Sequence, residues 1–235
     1  AGKSVDYSKG LNAGALKGAR IGVARKRYFG YSAAADRVID AAITQLRTAG
    51  AVIVDPADIP TASTLDDCEL DILLYEFKAD LNVYLAGLGP SVKVRSLADL
   101  IAFNEREKAR EMPFFGQELF YMADKKGPLT AAAYRVALTK CRARARRLGI
   151  DAVMTRLGLD AIVAPTGSPA WPTDVVNGDH FLGASSTPAA VAGYPSITVP
   201  AGEVQGLPVG LAFIGRAWSE QKLIALAYAF EQATK

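Results

Sequence analysis

The first part of the chain alternates between short apolar runs and apolar residues at helical spacing. One apolar run covers residues 20–24, and apolar residues then recur three and four positions apart between 32 and 48. A second short run, 52–54, follows Gly50. A strand, a helix and a strand joined by short turns form a βαβ unit. The two strands are therefore predicted to be parallel, with a right-handed crossover.

The middle of the chain is predicted to be helical. Apolar residues at helical spacing run from 65 to 85. Ser96 opens a second helix with a Ser-x-x-Asp sequence that resembles a capping box, and this helix is predicted to end near Arg110. A third helix is predicted between Pro128 and Gly149, and residues 151–156 can extend it.

The last third of the chain surrounds a long connection with apolar strands. A buried strand is predicted over 159–164, and the segment 165–195 that follows is rich in Gly, Pro, Ser and Thr. Strands at 196–199 and 209–214 are separated by a glycine-containing turn, which predicts an antiparallel pair. Ser219 begins a final amphipathic helix. A loop of this length between strong strands is where an α/β protein usually binds its ligand.

Together these elements predict an α/β fold with a mixed β-sheet and helices on both faces. The length of 235 residues and the hydrophobic fraction of 50% are enough to bury one substantial core. A chain of this length and composition can hold one large domain or two small ones.

Charge and apolar runs limit the partners of the chain. The net charge of +3 is small and does not favour a nucleic-acid partner. No apolar run is long enough for a membrane span, and no signal peptide is evident, so we expect no membrane contact and a cytoplasmic protein. The sequence starts at Ala1 with a polar stretch, which we interpret as the beginning of a piece of a longer protein.

The residue types that bind metals and cofactors are scarce. The only histidine, His180, lies in a polar loop, where a solvated side chain is the expected role. Cys68 and Cys141 are far apart in sequence, and we expect two reduced thiols packed inside helices. These three residues cannot form a zinc site unaided, and no glycine-rich loop links a strand to a helix. We predict no metal and no cofactor.

One basic run and one hydroxyl cluster are candidates for function. The basic run would suit RNA, but it spreads around most of a helix, so we interpret it as a solvated face. The hydroxyl cluster, Ser185-Ser186-Thr187, lies in a glycine-flanked loop with no lysine nearby in sequence to activate it. We expect these hydroxyls to bond to backbone or to line a pocket. The basic residues are Lys140, Arg142, Arg144, Arg146 and Arg147.

Four motifs follow one another in the last third of the chain: Pro165-Thr166, Ala192-Gly193-Tyr194-Pro195, Val199-Pro200-Ala201-Gly202 and Gly206-Leu207-Pro208-Val209-Gly210-Leu211. Their order and frame resemble those of the amidase signature family, enzymes that hydrolyse carboxamides. The chain resembles the C-terminal half of a family member over nearly all its length. Two further segments, 75–85 and 115–118, resemble the branch of the family that contains peptide amidases.

The resemblance implies that the catalytic groups lie outside this chain. In the family, the nucleophilic serine, a second serine and a lysine all belong to the N-terminal half, and no Gly-Gly-Ser-Ser-Gly-like segment occurs here. We therefore assign no catalytic residue, and we expect the chain alone to be inactive, with the N-terminal half of the same protein as its partner.

By the same resemblance, residues 1–235 are the C-terminal part of a single amidase-like α/β domain. They supply part of its sheet and a wall of the substrate pocket. For the aromatic candidates in that wall, packing in the core is an equal alternative. The pocket candidates are Thr166, Trp171, Asp174, Ser186, Thr187, Phe114 and Phe115.

The implied substrate is a carboxamide, such as the C-terminal amide of a peptide, which releases ammonia. The tRNA-dependent amidotransferase branch typically has an acid shortly before Ala-Gly-x-Pro, where it helps to hold glutamine. The matching position here is Gly183, which disfavours that branch.

A fragment of an amidotransferase subunit, favoured by the basic helix, remains one alternative. A non-catalytic α/β binding module is the other; it predicts a monomer with no large exposed apolar face, whereas a fragment predicts open sheet edges and helix faces.

Overall fold

A computed structural model describes residues 5–235. The start at Ala1, which prompted the interpretation of a longer protein, lies outside the described residues. The chain divides into two compact units. The sheet unit contains Ala1–Leu65 and Arg142–Lys235, and the helical unit contains Asp66–Cys141.

The sheet unit is built on a five-stranded mixed sheet in the order β2-β1-β3-β5-β4. β1 is parallel to both β2 and β3, whereas β5 is antiparallel to both β3 and β4. The predicted βαβ unit and the predicted antiparallel pair are confirmed. The strands are β1 (Arg20–Val23), β2 (Val52–Val54), β3 (Ala161–Pro165), β4 (Ser196–Val204) and β5 (Leu207–Ile214).

The helices lie where apolar spacing predicted most of them. A π-helical turn, Arg146–Ile150, joins α6 to α7. In the part of the chain that the structure describes, no helix is long and apolar enough to cross a membrane. The helices are α1 (Ala33–Thr48), α2 (Asp66–Ala86), α3 (Leu97–Arg106), α4 (Lys108–Glu111), α5 (Glu118–Asp124), α6 (Ala132–Ala145), α7 (Asp151–Leu157), α8 (Thr187–Ala192) and α9 (Glu220–Thr234).

Both faces of the sheet are buried, as expected for a layered α/β fold. On the face covered by α1 and α9, Phe213 meets Phe230 edge to face, with ring centroids 6.2 Å apart. On the opposite face, Ile162, Ala164 and Ile214 are fully buried as well. Because strand residues alternate between faces, this explains the unbroken apolar run of β3. The predicted α/β class with a mixed sheet is confirmed.

The capping box at the start of α3 forms with one change from the usual pattern. Ser96 Oγ accepts a hydrogen bond from the backbone N–H of Asp99 at 3.1 Å. The Asp99 carboxylate in return accepts from the backbone N–H of Arg95 at 3.0 Å, one residue before the cap. The backbone N–H of Arg95, followed by the side chain of Ser96, lowers the pKa of Asp99 from its usual value.

Two short helices and the full length of β4 were not predicted. α5 and α8 have seven and six residues, too few to show a helical period. β4 continues through Pro200 and past a bulge between Pro200 and Gly202. Since β4 is an edge strand of the described sheet, a proline there removes no hydrogen bond between strands.

The expectation for the cysteines is wrong. Cys68 of α2 and Cys141 of α6 form a disulfide within the helical unit, with Cα atoms 6.0 Å apart. The residues are separated by 73 positions, and the sequence contains no signal that the two helices meet there.

Candidate substrate-binding site

The candidate site begins where β3 ends. Thr166 follows Pro165, and its backbone N–H donates to the carbonyl of Gly210 in β5 at 2.8 Å. Its hydroxyl lies 2.5 Å from the hydroxyl of Thr198 in β4. The two threonines therefore meet across the strand that separates β3 from β4.

Gly210 makes this meeting possible because it has no side chain. A Cβ atom at Gly210 would lie 2.6 Å from Thr198 Oγ1 and 2.8 Å from Thr166 Oγ1. Both distances are shorter than real carbon–oxygen contacts allow. A bare backbone at this point of β5 is thus a condition for the hydroxyl pair.

The start of α8 is attached to the same end of β3. The buried hydroxyl of Ser185 donates to the carbonyl of Pro165 at 2.7 Å, and the Ser185 N–H donates to the carbonyl of Thr166 at 3.2 Å. Ser185 therefore bonds to backbone, as expected for a loop hydroxyl. The next two residues, Ser186 and Thr187, lie at the first turn of α8, and the Ser186 side chain is exposed.

The outer part of the loop is held by its own side chains. Gly167 and Ala184 form an isolated antiparallel bridge at its base. Further out, the indole N–H of Trp171 donates to Asp179 at 2.7 Å. The Trp171 ring also meets Phe181 edge to face at 6.3 Å. Trp171 thus lies in the loop and not in the core of the sheet unit.

Asp174 organises a tight turn in this loop. Its carboxylate accepts from the backbone N–H groups of Asn177 at 2.8 Å and Val176 at 2.9 Å, and from the Asn177 side-chain amide at 2.8 Å. These donors lower the pKa of Asp174, Asn177 contributing most, and nearby His180 acts in the same direction. Asp174 is therefore ionised at neutral pH and engaged in the turn.

Tyr31, which precedes α1, packs under the returning arm of the loop. Its ring lies so near Gly183 that a Cβ atom there would be 3.0 Å from Tyr31 Cδ1. Burial, followed by the charge of Asp36, raises the pKa of Tyr31 to about 12. Gly183 also has a φ of +154°, a conformation that side chains rarely adopt.

The structure brings some of the predicted residues together and places others elsewhere. Thr166 lies beside the segment that contains Ser186 and Thr187, whereas Trp171 and Asp174 occupy the outer loop. The remaining two candidates, residues 114 and 115, belong to the helical unit. Sequence reasoning missed Thr198 and Asp179. For Thr198 a signal existed, because it alternates with buried Val199 on the strand and so points to the opposite face.

The comparison with known protein families shows to which family the chain belongs. The model of the Amidase family matches residues 3–224 of the chain. The chain belongs to the Amidase family. This confirms the resemblance seen in the four motifs, and the candidate site lies among those motifs.

Several relatives match along nearly the whole chain. A probable amidase of Arabidopsis thaliana is 37% identical over 97% of this chain. The solved peptide amidase of Stenotrophomonas maltophilia matches the whole chain with a TM-score of 0.89 and 45% identity. A glutamyl-tRNA(Gln) amidotransferase subunit of Exiguobacterium sibiricum is 33% identical over 97% of this chain.

The chain spans about half or less of the length of these relatives. It covers 40% of the Arabidopsis protein, 47% of the Stenotrophomonas chain and 48% of the Exiguobacterium protein. The groups that line the candidate site decide what it can do by itself. Its hydroxyls and backbone groups can bind an amide by hydrogen bonds, but within residues 5–235 no lysine or histidine is hydrogen-bonded to a site serine.

Replacing Gly210 by alanine should separate the two threonine hydroxyls. We expect Gly210→Ala to lower the free energy of unfolding by about 1–3 kcal/mol, because the added methyl group overpacks the strand. Urea unfolding measures this. Gly89→Ala is the matched control, since a Cβ at Gly89 meets nothing within 4 Å. Equal unfolding midpoints for Gly210→Ala and the unchanged chain would contradict this arrangement.

Replacing Asn177 by alanine should raise the pKa of Asp174 towards the usual range near 4, because the side-chain donor is lost. The folded pKa of Asp174 is lowered, so the turn contributes stability above the ordinary aspartate pKa and loses it as the pH falls through the folded value. An NMR titration of the Asp174 carboxyl carbon measures this pKa in the unchanged chain and in the Asn177→Ala variant. Asn12→Ala, remote in sequence, should leave the titration unchanged; an unchanged pKa in Asn177→Ala would rule out the donor.

Proposed function

We propose that this chain is the C-terminal half of an amidase that hydrolyses carboxamides and releases ammonia. The observation that carries this proposal is its likeness to the solved peptide amidase of Stenotrophomonas maltophilia, which extends over the whole chain at 45% identity. The same likeness supports the terminal amides of peptides as the substrate class.

The chain would contribute the wall of the substrate pocket in such an enzyme. The hydroxyls of Thr166 and Thr198 meet at the carboxyl end of β3, where open α/β sheets usually bind ligands. Ser186 and Thr187 lie next to them at the first turn of α8. A set of hydroxyls can accept from the substrate N–H and donate to its carbonyl, which orients a neutral amide without a charged partner. Trp171, Asp174, Phe114 and Phe115 stay candidates for more distant contacts.

The partner that we propose is the N-terminal half of the same amidase fold, so that residues 1–235 form part of one domain. Two surfaces support this. The described sheet ends in β4, a nine-residue strand with an open edge. In the helical unit, an apolar cleft of about 670 Å³ exposes Leu73, Phe77 and Leu119 among others. Exposed apolar surface of this kind usually marks an interface.

The two alternatives have less support. An amidotransferase needs a group that holds glutamine, and the family places an acid at the position of Gly183. Here a side chain at Gly183 would crowd the Tyr31 ring, so the backbone is shaped for glycine. The basic run gives this alternative little support, since Arg146 already donates a hydrogen bond to the carbonyl of Ala192 at 2.6 Å.

The second alternative, a non-catalytic module, predicts no large exposed apolar face, contrary to the apolar cleft around Phe77.

Joining the chain to the N-terminal half of the Stenotrophomonas peptide amidase tests the proposal. The joined protein should release ammonia from N-acetylated dipeptide amides, whereas this chain alone should release none, because its site has no activated nucleophile. In the joined protein, Thr166→Val should lower kcat/KM about ten-fold through the loss of one hydrogen bond.

Thr139→Val is the matched control for this experiment. Thr139 lies on α6, and its hydroxyl donates to the carbonyl of Arg135 on its own helix at 2.8 Å. Its loss should leave kcat/KM unchanged. Amide hydrolysis by this chain alone would contradict the assignment of the nucleophile to the other half. A folded but inactive joined protein would contradict the proposed activity.

A further inference from the structure

A cleft with a volume of about 700 Å³ opens in the helical unit between the end of α3, α4 and the start of α5. The buried side chain of Gln117 fixes its shape. Gln117 Nε2 donates to the carbonyl of Ile101 and to Glu105, each at 3.2 Å, and Gln117 Oε1 accepts from Asn104 at 3.1 Å. A side chain that is only 7% exposed and bonded at both ends holds the adjoining backbone in one position.

Two phenylalanines stand on this fixed backbone and face solvent. Phe114 is 66% exposed and Phe115 is 75% exposed, and both line the cleft. In the part of the chain that the structure describes, neither ring stacks on another aromatic ring or carries a cation on its face. Exposed ring faces that are already positioned bind flat or cationic groups at a small cost in entropy.

The charges at the cleft favour a cation. The carboxylate of Glu105 is already engaged, because it accepts from the Tyr121 hydroxyl and from Gln117. The carboxylate of Glu118 has no hydrogen bond or ion pair within residues 5–235 and lies folded back over Gly116. Among the described residues, Lys108 is the single basic residue that lines the cleft, against these two carboxylates.

We propose that this cleft binds a guanidinium group, such as the arginine side chain of a peptide. The flat face of the group would lie on Phe114 or Phe115, and its N–H groups would donate to the free carboxylate of Glu118. Guanidinium suits such a site better than ammonium because it is planar, weakly hydrated and able to bond a carboxylate through two N–H groups. Phe114 and Phe115 are also candidates for the wall of the substrate pocket, but binding of a guanidinium group is measured without amide hydrolysis.

Titration of the chain with ethylguanidinium, with ethylurea as the neutral analogue of the same shape, tests the proposal. Binding is followed by NMR through the ring signals of Phe114 and Phe115. Ethylguanidinium should shift these signals, and ethylurea should bind at least about ten-fold more weakly, because it lacks the charge that both the rings and Glu118 attract. Since the readout is binding to the chain alone and involves no hydrolysis, failure here says nothing against the amidase proposal.

Phe115→Ala and Glu118→Gln should each weaken ethylguanidinium binding about three- to ten-fold. Trp218→Ala and Glu203→Gln remove an exposed aromatic ring and an exposed carboxylate from the sheet unit, and both should leave binding unchanged. Thermal unfolding checks that each variant is folded. Equal binding of the two probes, or full binding by both cleft variants, would overturn the proposal.

Discussion

The arrangement of the candidate site depends on a strand that has no side chain at one position. β5 lies between β3 and β4, so a hydroxyl just after β3 and a hydroxyl on β4 can meet only across it. Gly210 of β5 has no side chain, and the hydroxyl oxygens of Thr166 and Thr198 lie 2.5 Å apart beside it. Any side chain at Gly210 would occupy that space. The direction of the strands and the choice of glycine together place two hydroxyls at the carboxyl end of β3.

The rest of the loop is arranged around this point. Ser185 attaches α8 to the end of β3, and the Gly167–Ala184 bridge closes the base of the loop. Contacts further out, between Trp171 and Asp179 and within the Asp174 turn, involve only the loop itself. The loop therefore has a firmly bonded base and an outer part with few partners. Such an outer part is suited to take contacts from a substrate or from the other half of an amidase.

Much of this fold follows from the sequence, because its signals are local. The spacing of apolar residues located α1, and the unbroken apolar run located β3. Features that depend on distant parts of the chain meeting in space could not be found this way. The pair Thr166–Thr198 spans 32 positions and Cys68–Cys141 spans 73. α8 was missed because its six residues follow a stretch typical of a loop. The family motifs contain Thr166 and Gly210, but not Thr198, whose hydroxyl meets that of Thr166.

The most direct test of this account is a crystal structure of the chain joined to an amidase N-terminal half, with a slowly hydrolysed peptide amide bound. The account predicts that the amide group lies within hydrogen-bonding distance of Thr166 or of the Ser186–Thr187 turn, at the carboxyl end of β3. An amide group bound away from that end of the sheet, with Thr166 and Thr198 still paired to each other alone, would contradict it.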